Sequence, residues 1–320
     1  MAGTARAFVF PGQGSQTVGM GKDLADAYPA AAQVFEQVDD ALGEALSALI
    51  FSGPEETLTL TANAQPALMA VSLAAIRAIE AESGKTIDSL CDYVAGHSLG
   101  EYSALAAAGT LDIATAARLL RLRGQSMQKA VPVGEGAMAA LIGADLETAE
   151  AIANAARPGP EGDEICDIAN DNGGGQVVLS GHAAAIDRVI ALAADHGVRR
   201  AVKLPVSAPF HCSLMAPAAD AMAEALAATD LRAPLVQVIA NVSATPTDDR
   251  DVIRRQLVEQ VTGRVRWRET VEGLSGLGVS SVAEIGAGKV LSGLVKRIDK
   301  SIDAHAINTP ADVAGFVAAL

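Results

Sequence analysis

An α/β protein, with a parallel sheet carrying helices on its faces and a smaller ferredoxin-like unit inserted, is the fold class the sequence predicts. Three observations predict it. Apolar runs alternate with helix-period segments up to Ala130. From Gly136 the order changes to β-α-β-β-α-β. Gly-His-Ser-Leu-Gly at 96–100 stands between an apolar run and a helix-forming one, the strand–turn–helix context of a nucleophile turn.

Taken in order, residues 7–10 read as the first strand, entered directly from Met1–Arg6 and ended by Pro11 and Gly12. Helices follow over 30–49 and 66–82, then a strand over 90–95, then helices over 101–108 and 112–130. The inserted unit reads as strand 137–142, helix 146–156, strands 165–169 and 176–180, helix 183–196 and strand 201–206, with Gly173, Gly174 and Gly175 turning between its middle strands. Pro132 and Gly134 punctuate one boundary, and Pro205 and Pro209 the other. The main domain is therefore expected over 1–131 and 206–320, and the small one over 132–205. Strands over 235–241 and 281–285 return to the main sheet.

Composition narrows the function. Half of the 320 residues are hydrophobic (50%) and 19% are charged, which suits an enzyme with a large aliphatic core. Cys91, Cys166 and Cys212 show neither a disulfide framework nor zinc spacing, so a reducing, cytoplasmic home is expected. No apolar run reaches membrane-spanning length, and no signal-peptide core forms before Pro11, so a soluble protein is expected. A net charge of −14 argues against nucleic acid, and an acidic partner must find a local cluster of cations. Two are visible: Arg254, Arg255, Arg264, Arg266 and Arg268, and Lys289, Lys296, Arg297 and Lys300. Singly, each also reads as an ordinary solvated helix residue.

Ser98 is the candidate nucleophile, since Gly96 and Gly100 free the strained turn of side chains, and the Leu99 amide at a helix start can donate to an oxyanion. A structural strand–helix turn is the alternative. Serine needs a base within hydrogen-bond reach. Of the five histidines, His97 should point away from Ser98, His196 reads as a helix C-terminal dipole partner, His182 opens a helix and His305 lies near the C-terminus. His211 remains, in Ser-Ala-Pro-Phe-His-Cys, either as the base or as a packed loop histidine. Asp167 and Asp171 stay open as third members of a triad, and a dyad is the other possibility.

On the helix over 112–130, Ile113, Ala116, Ala117, Leu120, Gly124 and Met127 form an apolar face, and Arg123 flanks it between Leu119 and Met127. Its charge there calls for an anionic ligand, an internal carboxylate, or a side chain that snorkels to water. Pro-Gly-Gln-Gly-Ser-Gln at 11–16 fails as a dinucleotide fingerprint, because Thr17 stands where the last glycine should. Lys22 and Lys289 lack phosphate-loop spacing. The turn reads better as one bringing the Gln13 amide near Ser98, or as a plain tight turn.

Taken jointly, Phe-Pro-Gly-Gln-Gly-Ser-Gln (10–16), Gly-His-Ser-Leu-Gly-Glu-Tyr (96–102), Arg-Leu-Arg-Gly (121–124), Pro-Phe-His (209–211), Asn-Val (241–242), Gln260 with Val-Arg-Trp (265–267) and Glu-Ile-Gly-x-Gly-Lys-Val-Leu (284–291) closely resemble the malonyl-CoA:acyl carrier protein transacylase family of fatty-acid synthesis. The resemblance spans nearly the whole chain. It implies an α/β-hydrolase-like main domain, a ping-pong transfer through a malonyl ester on Ser98 with His211 as general base, and an oxyanion hole from the amides of Gln13 and Leu99. It further implies that Arg123 binds the malonyl carboxylate and that Gln260 helps to position His211 in place of a triad Asp. Phe210 resembles malonyl-preferring versions of the motif, and Asn172 matches a site-facing position. Malonyl-CoA is then a substrate, with no tightly bound cofactor and no metal. The expected partners are acyl carrier protein and a coenzyme A thioester, with no membrane or nucleic acid, and a monomer is expected. Gly174 and Arg264 stand where the family commonly has proline, which bears on loop rigidity or carrier docking.

The rival readings are weaker. A carboxylesterase or lipase acting on neutral esters has no use for a buried Arg123. An idle carrier-binding module has no use for Ser98, Arg123 and His211 together. A free-standing enzyme is expected rather than a domain of a polyketide synthase.

Overall fold

Phe8 and Phe10 face one side of the first strand and Ala7 and Val9 the other, and all four are fully buried, as in a parallel sheet covered on both faces. The computed structural model describes residues 5–160, 162–206 and 208–320. Met1–Thr4 of the N-terminal lead-in and Ser207 of the Ser-Ala-Pro-Phe-His-Cys stretch thus lie outside the described residues. The strands of the two larger sheets are β1 (Ala5–Phe10), β2 (Tyr93–Gly96), β3 (Gly136–Ile142), β4 (Cys166–Gly173), β5 (Gln176–His182), β6 (Arg200–Lys203), β7 (Gln237–Ile239), β8 (Pro246–Thr247), β9 (Val279–Ile285) and β10 (Asp303–Ile307). The main sheet has the order β8-β7-β2-β1-β9-β10, and only the short edge strand β8 is antiparallel.

On the Phe8 and Phe10 side lie α1 (Pro29–Leu42), α2 (Thr61–Ser83), α3 (Gly100–Ala107) and α4 (Ile113–Ala130), packed through Val34, Leu68, Leu105 and Leu120. The Ala7 and Val9 side packs Trp267 and Val271 of a later helix, with Leu291 and Val295 of another. Gly124 lets α4 approach α2 closely. A Cβ there would stand 2.7 Å from the Thr61 carbonyl oxygen, so any larger residue would push away the helix that carries Arg123.

The small sheet has the order β4-β5-β3-β6 and is antiparallel throughout. With α5 (Leu146–Ala156) and α6 (Ala183–Leu192) the chain order is β-α-β-β-α-β. The two helices bury Ala139, Leu141 and Leu179 on one face, while Met138, Ala140 and Val178 on the other join the large core. Strand β4 reaches the main body through reciprocal bonds, Asp171 N to Val265 O at 3.0 Å and Val265 N to Ala169 O at 2.8 Å.

Several expected elements shift. The helix expected over 30–49 is two, α1 and Leu46–Ser52, because Gly43 turns left-handed at φ 65° and caps the first. The strand expected over 90–95 starts only at Tyr93, since Ile87–Leu90 closes a helical turn before it. Helix α6 stops at Leu192, so His196 lies in the turns beyond and is not a helix C-terminal residue. Strand β6 covers less than 201–206, and β7 less than 235–241. The edge strand β10 has no counterpart in the sequence reading, and α2 begins at Thr61 rather than 66, with Pro66 inside it. Gly173, Gly174 and Gly175 take φ of 69°, 58° and 76° in succession, which excludes proline at 174, whose ring holds φ near −65°. No helix among the described residues is long and apolar enough to cross a membrane.

Candidate active site

Strand β2 ends at Gly96 and α3 begins at Gly100, and Ser98 between them takes φ 54°, a left-handed conformation that costs a non-glycine residue about 1–2 kcal/mol. The flanking glycines make the turn possible. A Cβ on Gly96 would stand 1.9 Å from the Gly100 carbonyl carbon, and one on Gly100 would stand 2.2 Å from the Phe10 carbonyl oxygen. Hydrogen bonds hold the strain in place. Ser98 N donates to Asn241 Oδ1 at 2.7 Å, Asn241 Nδ2 donates to Gly96 O at 2.6 Å, and Gln260 Nε2 donates to Ser98 O at 3.1 Å.

Ser98 Oγ stands 2.7 Å from His211 Nε2. His211, also left-handed at φ 57°, is 3% exposed and sits in the loop ahead of the helix Ala216–Ala227. Its Nδ1 lies 2.9 Å from the Gln260 carbonyl oxygen and 3.2 Å from that of Gly263. Carbonyls only accept, so Nδ1 carries the proton and the Nε2 lone pair faces the Ser98 hydroxyl. Burial first and the Arg123 charge second push the imidazole down to about 3, so it stands neutral at physiological pH.

The two open carboxylates are elsewhere. Asp167 accepts from Ser213 N and Oγ, and Asp171 pairs with Arg268 Nε at 2.9 Å, so neither orients His211. Backbone carbonyls fill the place of a triad acid. Gln260 meets His211 through its main chain, while its side chain faces the serine and Arg123.

Arg123 of α4 is 1% exposed and does not snorkel. Its Nη1 donates to Gln65 Oε1 at 2.9 Å, and its Nη2 donates to Gln260 Oε1 at 2.9 Å and to Ser98 Oγ at 3.2 Å, while Nε is buried without a partner among the described residues. No carboxylate pairs directly with it there. The guanidinium is thus cradled by neutral amide oxygens and aimed at Ser98 Oγ, an arrangement that leaves charge for an incoming anion.

The remaining expected residues gather around this centre. The Leu99 amide at the start of α3 donates to no protein group among the described residues, and neither does that of Gln13. Gly12 lies against the turn, where a Cβ would come 2.8 Å from His97 O, which holds the Gln13 loop beside the serine. His97 turns away from Ser98, its Nε2 2.8 Å from Asn172 Oδ1 and its ring against Trp267. Asn172 therefore touches the turn through His97. Phe210 is packed in the large core next to His211. Sequence reasoning did not single out Gln65, Asn241 or Glu101 for a role. Glu101 has a visible signal, a carboxylate inside the apolar run after the nucleophile, whereas Gln65 has none. No group of three or more His, Cys, Asp and Glu side chains among the described residues could hold a metal ion.

The acyl transferase domain family model matches residues 7–315. A malonyl CoA-acyl carrier protein transacylase of Escherichia coli strain K12 is 46% identical over 311 residues, 97% of this chain and 98% of that protein. The crystal structure of an acyl-carrier-protein S-malonyltransferase from Bartonella henselae superposes with a TM-score of 0.94 at 55% identity, covering 98% of this chain and 99% of that one. A malonyl-transacylase solved in complex with a type II polyketide synthase acyl-carrier protein gives a TM-score of 0.94 at 42% identity, covering 99% of this chain and 100% of that one.

Proposed function

The chain belongs to the malonyl-CoA:acyl carrier protein transacylase family, and from that premise we propose that it moves the malonyl group by a ping-pong route through Ser98. The observation that carries the reading is the convergence of His211 Nε2 and Arg123 Nη2 on Ser98 Oγ, at 2.7 and 3.2 Å. In the first half-reaction His211 Nε2 takes the Ser98 proton as Oγ attacks the thioester carbonyl. The amides of Gln13 and Leu99 hold the oxyanion, and its collapse forms the seryl ester and expels the coenzyme A thiolate, which takes the proton back from His211. In the second half-reaction the phosphopantetheine thiol of the carrier protein gives its proton to His211. Its sulfur attacks the ester, and the proton returns to Ser98 Oγ as that bond breaks. Arg123 binds the malonyl carboxylate meanwhile. The bound anion offsets the charge that depresses His211, so substrate binding raises the proton affinity of the base when it is needed. Phe210 fills space beside the base that a branched acyl group would need.

His211→Ala is expected to slow acylation by about 10²–10⁴-fold, the usual scale for loss of a general base. Rapid-quench measurement of coenzyme A release checks it, and an undiminished burst would move the role to another group.

The carrier protein must dock against a net charge of −14. In the first basic cluster Arg264 and Arg266 pair with Glu269, Arg268 with Asp171 and Glu272, and Arg255 with Glu259, while Arg254 binds the carbonyls of Leu226 and Thr229. In the second, Lys289, Lys296, Arg297 and Lys300 are exposed and form no ion pair among the described residues. Lys289 caps the start of the helix Val290–Ile298, next to Gly288 beside Ser15 of the Gln13 loop, Lys296 and Arg297 stand in its last turn, and Lys300 follows it. Of the two clusters, the cations free of ion pairs are those at 289–300, with Lys289 at the end nearer the Gln13 loop, and this is the docking surface we favour for an acidic carrier protein. Charge reversal at Lys296 and Arg297 together is expected to raise KM for carrier protein at least ~10-fold, with a weaker salt dependence, and to leave transfer to free pantetheine unchanged. Equal losses for both acceptors would count against it.

A further inference from the structure

The reaction above leaves one buried carboxylate beside the nucleophile unused. Glu101, in the first turn of α3, is 1% exposed, and its Oε2 accepts from the backbone amide of Asn241 at 2.8 Å and from Gln260 Nε2 at 2.8 Å. A buried carboxylate next to a site for an anionic substrate is costly in desolvation and in repulsion, and simple core filling would use an apolar residue. Its use lies in the hydrogen-bond arithmetic of Gln260.

A glutamine amide has two N–H donors. Those of Gln260 go to Ser98 O and to Glu101 Oε2, which leaves Oε1 for Arg123 Nη2 at 2.9 Å. Turned over, the amide would set N–H against the guanidinium and oxygen against a carboxylate and a carbonyl. The guanidinium and the carbonyl already oppose that state, and an ionised carboxylate, which can only accept, adds a third and charged opposition to it.

We propose that Glu101 is a positioning residue for the acyl-binding site: its carboxylate, together with the Ser98 carbonyl, holds the direction of the Gln260 amide, which aims Arg123, and it anchors Asn241, which holds the Ser98 amide. The inference rests on the reading of Arg123 as the ligand of the malonyl carboxylate. Burial pushes the Glu101 carboxyl up to about 7, against the Asn241 amide, the Gln260 side chain and the Arg123 charge, which pull it down. Arg123 faces it from α4, Gln260 from the helix Arg250–Thr262, Asn241 from the segment after β7, and Tyr102 lies next to it in α3. Once protonated, the carboxyl can also donate, and the hold on the amide weakens to that of the Ser98 carbonyl and Arg123.

The test is the ratio of kcat/KM for malonyl-CoA to that for acetyl-CoA, in which the titration of His211 cancels because both substrates use it. It is measured in wild type, Glu101→Gln, Gln260→Ala and the double variant, from acid to alkaline pH across neutrality. Glu101→Gln keeps the shape and removes the charge, and should lower the malonyl preference at least ~10-fold, the scale of one hydrogen bond to a charged group. Acetyl transfer should persist, which also reports a folded enzyme. In the Gln260→Ala background the same substitution should change nothing further, because Glu101 acts through that amide. The wild-type preference should decline as pH falls through about 7, and that of Glu101→Gln should stay flat. Equal losses for both substrates, multiplying effects of the two substitutions, or a flat wild-type preference would overturn the proposal, and the wild-type pH profile decides even where a variant does not fold. A wild type with no malonyl preference at any pH would sink the Arg123 reading itself, a distinguishable failure.

Discussion

Ser98→Ala is expected to give no malonyl adduct and to lower transfer by at least ~10⁴-fold, because the only covalent bond in the proposed route forms at Oγ. The residue already stands at φ 54°, where Ala meets the same backbone strain as Ser, and the hydrogen bonds that hold the turn run through the Ser98 amide and carbonyl, which the substitution keeps. Stability should therefore change little, and thermal unfolding run alongside would show it. Intact-protein mass spectrometry after mixing with malonyl-CoA reads the adduct, and coenzyme A release reads turnover. The residual rate is informative too. With the amides proposed for the oxyanion and Arg123 left in place, slow direct attack by the carrier thiol on bound malonyl-CoA would continue, but without a burst of coenzyme A. Transfer near the wild-type rate would remove Ser98 from its role.

The turn around Ser98 is legible in the sequence because its requirements are local: two glycines that cannot be replaced for steric reasons, set between a strand and a helix. The alternation of elements is legible for the same reason. Boundaries fail where one residue outweighs a periodic pattern, as Gly43 does when its left-handed φ ends α1 inside what reads as a longer helix. Strand β10 escapes notice because Asp303 and His305 interrupt its apolar pattern, as an edge strand permits. Residue type alone does not show the support of His211, to which only the family resemblance points through Gln260. Its partners are main-chain carbonyls of Gln260 and Gly263, and a carbonyl leaves no mark in residue type. Arg123 lay between the two cases. Its place on the helix flank identified a cation in need of a partner, yet the neutral cradle of Gln65 and Gln260 joins residues far apart in sequence.

That cradle defines the prediction for Arg123→Ala. The charge-assisted bonds proposed between Arg123 and the malonyl carboxylate would be poorly screened, because Arg123 is almost wholly buried. Losing them should cost malonyl-CoA about 3–5 kcal/mol in kcat/KM, the scale of breaking a buried ion pair, or a few hundred- to a few thousand-fold in rate. Acetyl-CoA has no carboxylate to lose. The substitution also removes the charge that, after burial, most depresses His211, so the base should not weaken toward acetyl transfer. The variant will be less stable, because Gln65 Oε1 and Gln260 Oε1 lose their donor and a cavity opens. Absolute rates therefore mix folding with binding, and the ratio of the two specificity constants is the quantity to measure. Lysine should restore only part of the preference, since a point charge cannot serve Gln65, Gln260 and the substrate at once as the planar fork does. Should malonyl-CoA and acetyl-CoA lose the same factor, Arg123 supports the fold alone, and the choice of a carboxylated acyl group must come from elsewhere in the site.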